Sequence, residues 1–246
     1  MSTRAAASGS TSDAVQDFLA YWQAEGARYA RQGDYAWMAA QIAAPRVLEI
    51  GCGPGFGTQA LCAAGKSVLV LENLPECIAA ARVLAPAADF LAADVTALGA
   101  ENEAAIRNFS PDSVLCWLMG VPANATGAQA TDAGRSVVAY REKIHRAVAE
   151  LAARLPSVRQ LHFVDRSALA WQAKETGRSV LAAYHLGKTL LDLPFTTSAR
   201  CALYRKLDAA SAAGVQNKLP PGSVAVLASL LIEKTISDSI HPYPAE

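Results

Sequence analysis

Three carboxylates close short apolar runs in the first half of the chain. Glu49 lies in Val47-Leu48-Glu49-Ile50, Glu72 follows Ser67-Val68-Leu69-Val70-Leu71, and Asp94 ends Asp89-Phe90-Leu91-Ala92-Ala93. Between the first two runs lies Gly51-Cys52-Gly53-Pro54-Gly55-Phe56-Gly57-Thr58, which leads into a segment of helix-forming composition. Glycine lets a backbone turn tightly and lets a ligand reach the main chain, so a strand, a glycine loop and a helix in series make a nucleotide-binding device. A carboxylate at the strand end attracts a cation and repels a pyrophosphate. An acid about 20 residues beyond such a loop can accept bonds from ribose hydroxyls.

The glycine spacing excludes two common nucleotide motifs. The dinucleotide fingerprint needs a third glycine three places after the second, and Phe56 or, counting from Gly53, Thr58 stands there. The GxxxxGK[ST] phosphate loop fails because no lysine occurs between Arg46 and Lys66. What remains, an acid two residues before Gly-x-Gly-x-Gly, resembles the first motif of the class I methyltransferases that use S-adenosylmethionine. The later acids and the run Asp112-Ser113-Val114-Leu115-Cys116-Trp117-Leu118-Met119 follow that family's order from residue 46 to 119.

The resemblance implies an α/β fold: a Rossmann-like, doubly wound, seven-stranded sheet with its last strand antiparallel and an N-terminal helical lid. It implies S-adenosylmethionine as cofactor, held by Glu49, Gly51, Cys52, Gly53, Gly55, Glu72, Asn73, Asp94, Val95 and Cys116. In those terms Glu49 lies near the methionine cation, Glu72 takes the ribose and Asp94 the adenine amino group. The end of the fourth strand lies beside the transferring methyl.

The elements that must position these residues are legible only in outline. Val15, Phe18, Leu19 and Trp22 fall at helical spacing behind a candidate cap at Asp13, and a second helical piece covers Tyr35 to Ile42, with Gly26 to Ala30 between them. Pro75 opens a helix after the second strand. Gly120 to Ser136 lacks periodicity and reads as a long loop, a candidate acceptor lid. Tyr140, Ile144, Val148 and Leu151 mark a further helix, with Glu142 and Arg146 spaced for an ion pair. Val158 to Val164 reads as a fifth strand, Ser179 to Leu191 as a helix, and Ala199 to Leu207 with Val224 to Ile232 as two strands joined through Gly214 and Pro220-Pro221-Gly222.

Composition sets the frame. With 246 residues, 52% of them hydrophobic and 18% charged, the chain can bury one large core, so residues 12–246 read as a single domain behind a disordered tail at 1–11. The longest apolar run, Val224 to Ile232, falls short of the roughly 20 residues of a membrane span. Five cysteines, Cys52, Cys62, Cys77, Cys116 and Cys201, form no CxxC pair, and four scattered histidines give no metal spacing. Free thiols, no metal, no membrane and a cytoplasmic location are expected. Asn124-Ala125-Thr126 is then a chance match to a glycosylation acceptor.

The acceptor is less defined. Twenty-two basic residues balance 22 acidic ones without a cluster, which argues against nucleic acid. The strand-four end is not the Asn-Pro-Pro-Tyr type, and Cys116 lacks the preceding proline of a cytosine-methylating nucleophile. Tyr29, Tyr35, Trp117, Met119 and His185 are substrate candidates, His185 also as a base. The favoured reading of both tyrosines is as packing aromatics, and His162 reads as a core residue. Apolar and aromatic candidates favour a small organic acceptor. A protein-directed enzyme and a non-catalytic S-adenosylmethionine-binding module are the alternatives.

Overall fold

The computed structural model describes residues 11–120, 135–208 and 222–235. Two helices, α1 (Thr11–Arg31) and α2 (Asp34–Ala39), precede the sheet. Strands and helices then alternate: β1 (Arg46–Ile50), α3 (Phe56–Ala63), β2 (Ser67–Glu72), α4 (Pro75–Leu84), β3 (Asp89–Ala92), α5 (Ala100–Phe109), β4 (Ser113–Trp117), α6 (Arg135–Arg154), β5 (Gln160–Ala170) and α7 (Lys174–Gly187). Three strands close the chain: β6 (Phe195–Thr196), β7 (Ala202–Lys206) and β8 (Ser223–Lys234).

The sheet has eight strands in the order β3-β2-β1-β4-β5-β8-β6, with β7 also on β8. β1 to β5 pair in parallel, and β8 runs antiparallel to β5, β6 and β7. This is a doubly wound, Rossmann-like arrangement. It exceeds the expected seven strands because the two-residue β6 joins the end of β8 at Glu233 and Lys234, while β7 takes the stretch from Val226 to Leu230. The strand order reverses between β1 and β4, and in open α/β sheets that switch point opens a crevice beyond the carboxyl ends of the strands.

The central strands are apolar because both faces are covered, as parallel sheets require. Leu48, Ile50, Val114 and Cys116 pack with Ile106 of α5 and Ile144 and Val148 of α6. On the opposite face Val47, Leu115 and Trp117 pack with Tyr29, Tyr35, Met38 and Leu61. The period-two alternation of a strand therefore sends Trp117 to one side of the sheet and Cys116 to the other.

Several boundaries differ from expectation for physical reasons. Gly26 to Ala30 does not separate two helices: it continues α1, where the absence of a side chain on Gly26 admits the Phe56 ring, 2.3 Å from where a Cβ would lie. Asp13 sits in the first turn of α1 instead of capping it. β5 runs on to Ala170 because β8 pairs with it over its whole length. α7 begins at Lys174 and ends at Gly187. The spaced pair Glu142–Arg146 does not form: Glu142 takes Lys188 at 2.9 Å and the Tyr184 hydroxyl, while Arg146 pairs with Glu150 at 2.6 Å.

The expected tail over 1–11 and loop over Gly120 to Ser136 are shorter by their last residues, since Thr11 opens α1 and Arg135 and Ser136 open α6; the rest of them, residues 1–10 and 121–134 with Asn124-Ala125-Thr126, and the connection over 209–221 fall outside the described residues. The five cysteines are free thiols. Among the described residues no helix is long and apolar enough to cross a membrane, and no group of three or more His, Cys, Asp or Glu could hold a metal.

Candidate functional site

A cleft of about 800 Å³, counted to its open mouth, lies at the switch point. Its walls come from the ends of β1, β2 and β4, the segment after β3, the glycine loop, and one side each of α1 and α6. Glu49, Gly51, Cys52, Gly53, Glu72, Asn73, Asp94 and Val95 all line it, as do Tyr35, Trp117 and Met119.

The glycine loop is shaped by two glycines with different tasks. Gly55 has φ +98°, and a Cβ there would lie 2.6 Å from the Ala81 Cα, so it is the point where the loop passes the α4 backbone. Gly53 has φ +50°, but a Cβ on it would meet nothing within 4 Å. Gly53 faces the open cleft, whereas Gly55 is a packing residue and does not line it.

Glu72 organises the loops around it. Its Oε1 accepts the backbone N–H groups of Asn73 at 2.8 Å and Leu74 at 3.0 Å, and its Oε2 accepts that of Gly53 at 3.3 Å. Burial raises its pKa, and these N–H bonds oppose the rise. Glu49, 2% exposed, accepts the Thr58 hydroxyl at 2.6 Å. Burial pushes its carboxyl up to about 7, with the Thr58 bond opposing and the Glu72 charge adding. Asp94 is exposed and accepts both the backbone N–H and the hydroxyl of Thr96.

The β4 end is set by a buried relay that sequence reasoning missed. Trp117 Nε1 donates to His162 Nδ1 at 2.9 Å, His162 Nε2 lies 2.7 Å from Ser229 Oγ, and Ser229 Oγ donates to Gln41 Oε1 at 2.7 Å. An indole N–H can only donate, so Nδ1 accepts and the imidazole proton sits on Nε2. Burial lowers the His162 pKa to about 3, which keeps the ring neutral as this tautomer requires. His162→Phe leaves the Trp117 N–H and the Ser229 hydroxyl without that partner, at about 1–3 kcal/mol for each buried group. Urea denaturation should show this loss and a partial recovery in His162→Gln, whose amide can both accept and donate; equal stability of the Phe variant and the native protein would refute the relay.

α1 is drawn over the cleft by Arg166 of β5. Arg166 Nη1 donates to the Tyr21 hydroxyl at 2.6 Å and lies 3.8 Å from Glu25, and the Arg166 Cζ stands 5.1 Å from the centre of the Trp22 ring. Phe18 and Trp22 line the cleft, and a Cβ on Gly120 would lie 3.1 Å from Trp22 Nε1.

Besides Gly55, three expected site residues lie elsewhere. Cys116 faces the opposite side of the sheet and is fully buried there. His185 is 3% exposed, bonds Thr189 Oγ1 at 3.1 Å and packs on Phe163, so it offers no base to the cleft. Tyr29 is fully buried beneath Tyr35, its ring 6.2 Å away edge-on. The packing reading of Tyr29 is the one the structure supports.

No family model matches the chain. No curated protein matches it either. Among solved structures, the N-methyltransferase NodS from Bradyrhizobium japonicum WM9, in complex with S-adenosyl-L-homocysteine, aligns over 89% of this chain and 96% of its own at 14% identity, with a TM-score of 0.49. The plantazolicin methyltransferase BpumL in complex with the same nucleoside aligns over 93% and 92% at 14% identity, with a TM-score of 0.41. The 23S rRNA methyltransferase ErmE aligns over 82% and 67% at 16% identity, with a TM-score of 0.41. These are distant likenesses of fold, among proteins named for different acceptors.

Proposed function

We propose that the protein transfers a methyl group from S-adenosylmethionine to a small organic acceptor. The observation that carries this reading is the distribution of charge in the cleft. Glu49, Glu72 and Asp94 line it together with the open face of Gly53, and no Lys, Arg or His is among the described lining residues. Such a cleft suits a nucleoside that carries a sulfonium and an ammonium and has no phosphate. Glu72 would take the ribose with lone pairs not engaged by the loop, Asp94 and Val95 would meet the adenine, and Glu49 would face the cationic end. The same charge pattern disfavours a polyanionic acceptor such as nucleic acid.

Calorimetric titration with S-adenosylmethionine, S-adenosylhomocysteine and NAD tests this directly. Micromolar binding of the first two without NAD is expected; binding of NAD alone, or of none, removes the proposal. The pH dependence adds a second check. In the free protein Glu49 titrates near 7, above its unfolded value, so burying its charge costs stability as pH rises through that range. A bound cation favours the ionised form, so affinity should rise by about tenfold per pH unit from pH 5.5 toward 7 and level off above. Glu49→Gln should flatten that profile, and an unchanged slope in the variant would assign the titration to another group.

A further inference from the structure

The cleft has two chemically different ends. Glu72 ends β2 and Asp94 follows β3 at one end, and Trp117 ends β4 with Met119 just beyond it at the other, because β1 separates β2 from β4 in the sheet. At the β4 end a carboxylate and two aromatic rings converge. The point where a Cβ on Gly57 would lie is 2.8 Å from Glu49 Oε1, 3.4 Å from Trp117 Cε3 and 3.6 Å from Tyr35 Cε1. The Trp117 ring is fixed there by its bond to His162, and Trp22 of α1 covers the same end.

Resting on the methyltransferase reading, we propose that the acceptor is an uncharged nitrogen on an apolar or aromatic body, and that Glu49, Trp117 and Tyr35 hold the ammonium formed on it. In the transfer step the nitrogen lone pair forms a bond to the methyl carbon as the carbon–sulfur bond breaks. The electron pair of that bond goes to sulfur. The sulfonium becomes a neutral thioether, and its positive charge passes to nitrogen, where any N–H proton is later lost to water. The positive charge of the sulfonium therefore stays in the cleft throughout, moving between positions that a carboxylate and aromatic rings both favour.

Other acceptor classes fit less well. A hydroxyl must lose its proton during attack, and if Glu49, whose carboxyl is pushed up to about 7, took that proton it would give up the charge that faces the cationic end of the donor. Burial drives the Tyr35 hydroxyl to a still higher pKa than a free phenol, so it is not that base. A carboxylate or phosphate acceptor meets repulsion from Glu49 and finds no cation among the described lining residues. Residues 121–134, which follow Gly120 in the chain, contain no Lys, Arg or His and one acid, Asp132.

The test separates this inference from the reading beneath it. Calorimetry first establishes S-adenosylhomocysteine binding; without it the methyltransferase reading itself falls. Ligand-observed saturation-transfer NMR on the complex then compares benzyltrimethylammonium, benzyl alcohol and phenylacetate, which share one ring and differ in charge. The cation is expected to bind at least tenfold more tightly than the anion, with the alcohol between. Trp117→Leu and Glu49→Gln should each compress that order. Equal or tighter binding of phenylacetate, or no binding of the ammonium to the loaded protein, overturns the assignment.

Discussion

Gly55→Ala is expected to destabilise the fold by about 2–5 kcal/mol, the sum of a side chain at positive φ and an overpacked contact. The added methyl at φ +98° would lie 2.6 Å from the Ala81 Cα and 2.7 Å from its Cβ. The Ala81 Cα is helix backbone and cannot rotate aside, so α4 must move off the loop. Gly53→Ala, two residues earlier, is expected to cost only about 1–2 kcal/mol for its φ, because its methyl enters open space. That space is where the proposed nucleoside lies, so the Gly53 variant should fold and lose at least tenfold in affinity. Denaturation midpoints and calorimetry on the two proteins distinguish fold from binding. A Gly55 variant as stable as the native chain would mean that α4 does not pack on the loop.

The second large effect is expected at Glu72. Substitution by Ala removes the acceptor of three backbone N–H groups, those of Gly53, Asn73 and Leu74, as well as the proposed ribose partner. Hydrogen bonds to a charged group contribute about 1.5–3 kcal/mol each, so both stability and affinity should fall, the latter by roughly 10- to 150-fold. Glu72→Gln is the sharper probe: its single carbonyl oxygen can serve one side of the site, and its NH2 group then faces an N–H donor on the other. It should retain part of the stability and little of the binding. If both variants bind S-adenosylhomocysteine as the native protein does, the ribose assignment is wrong.

How much of this was legible in the sequence follows from the range of the interactions. Glu49, Glu72 and Asp94 could be read because each closes a short apolar run, and strand ends on one edge of a parallel sheet meet without further instruction. The packing task of Gly55 was not legible because its partner Ala81 lies on a different helix, and no local pattern announces that approach. Cys116 and Trp117 are neighbours in sequence, yet only the register of β4 against β1 and β5 decides which of them faces the cleft. The link between Ser229 and Gln41 spans 188 positions, and spacing carries no signal at that range. Histidine's useful pKa made His185 a natural base candidate, but the position of α7 places it in the core.

The relay also imposes an order on the making of the protein. Glu49, Glu72, Asp94 and Trp117 all precede His162 in the chain, but the hydroxyl that completes the hydrogen bonding of His162 belongs to β8, which follows all the other described strands. The early strands can gather while β5 still has an unpaired edge, and the His162 ring that holds Trp117 has only one of its two nitrogens paired until β8 arrives. A nascent chain stopped before Ser229 therefore carries all three cleft acids and still lacks a finished site. Support for the Trp117 end of the cleft is therefore completed only when β8 docks on β5.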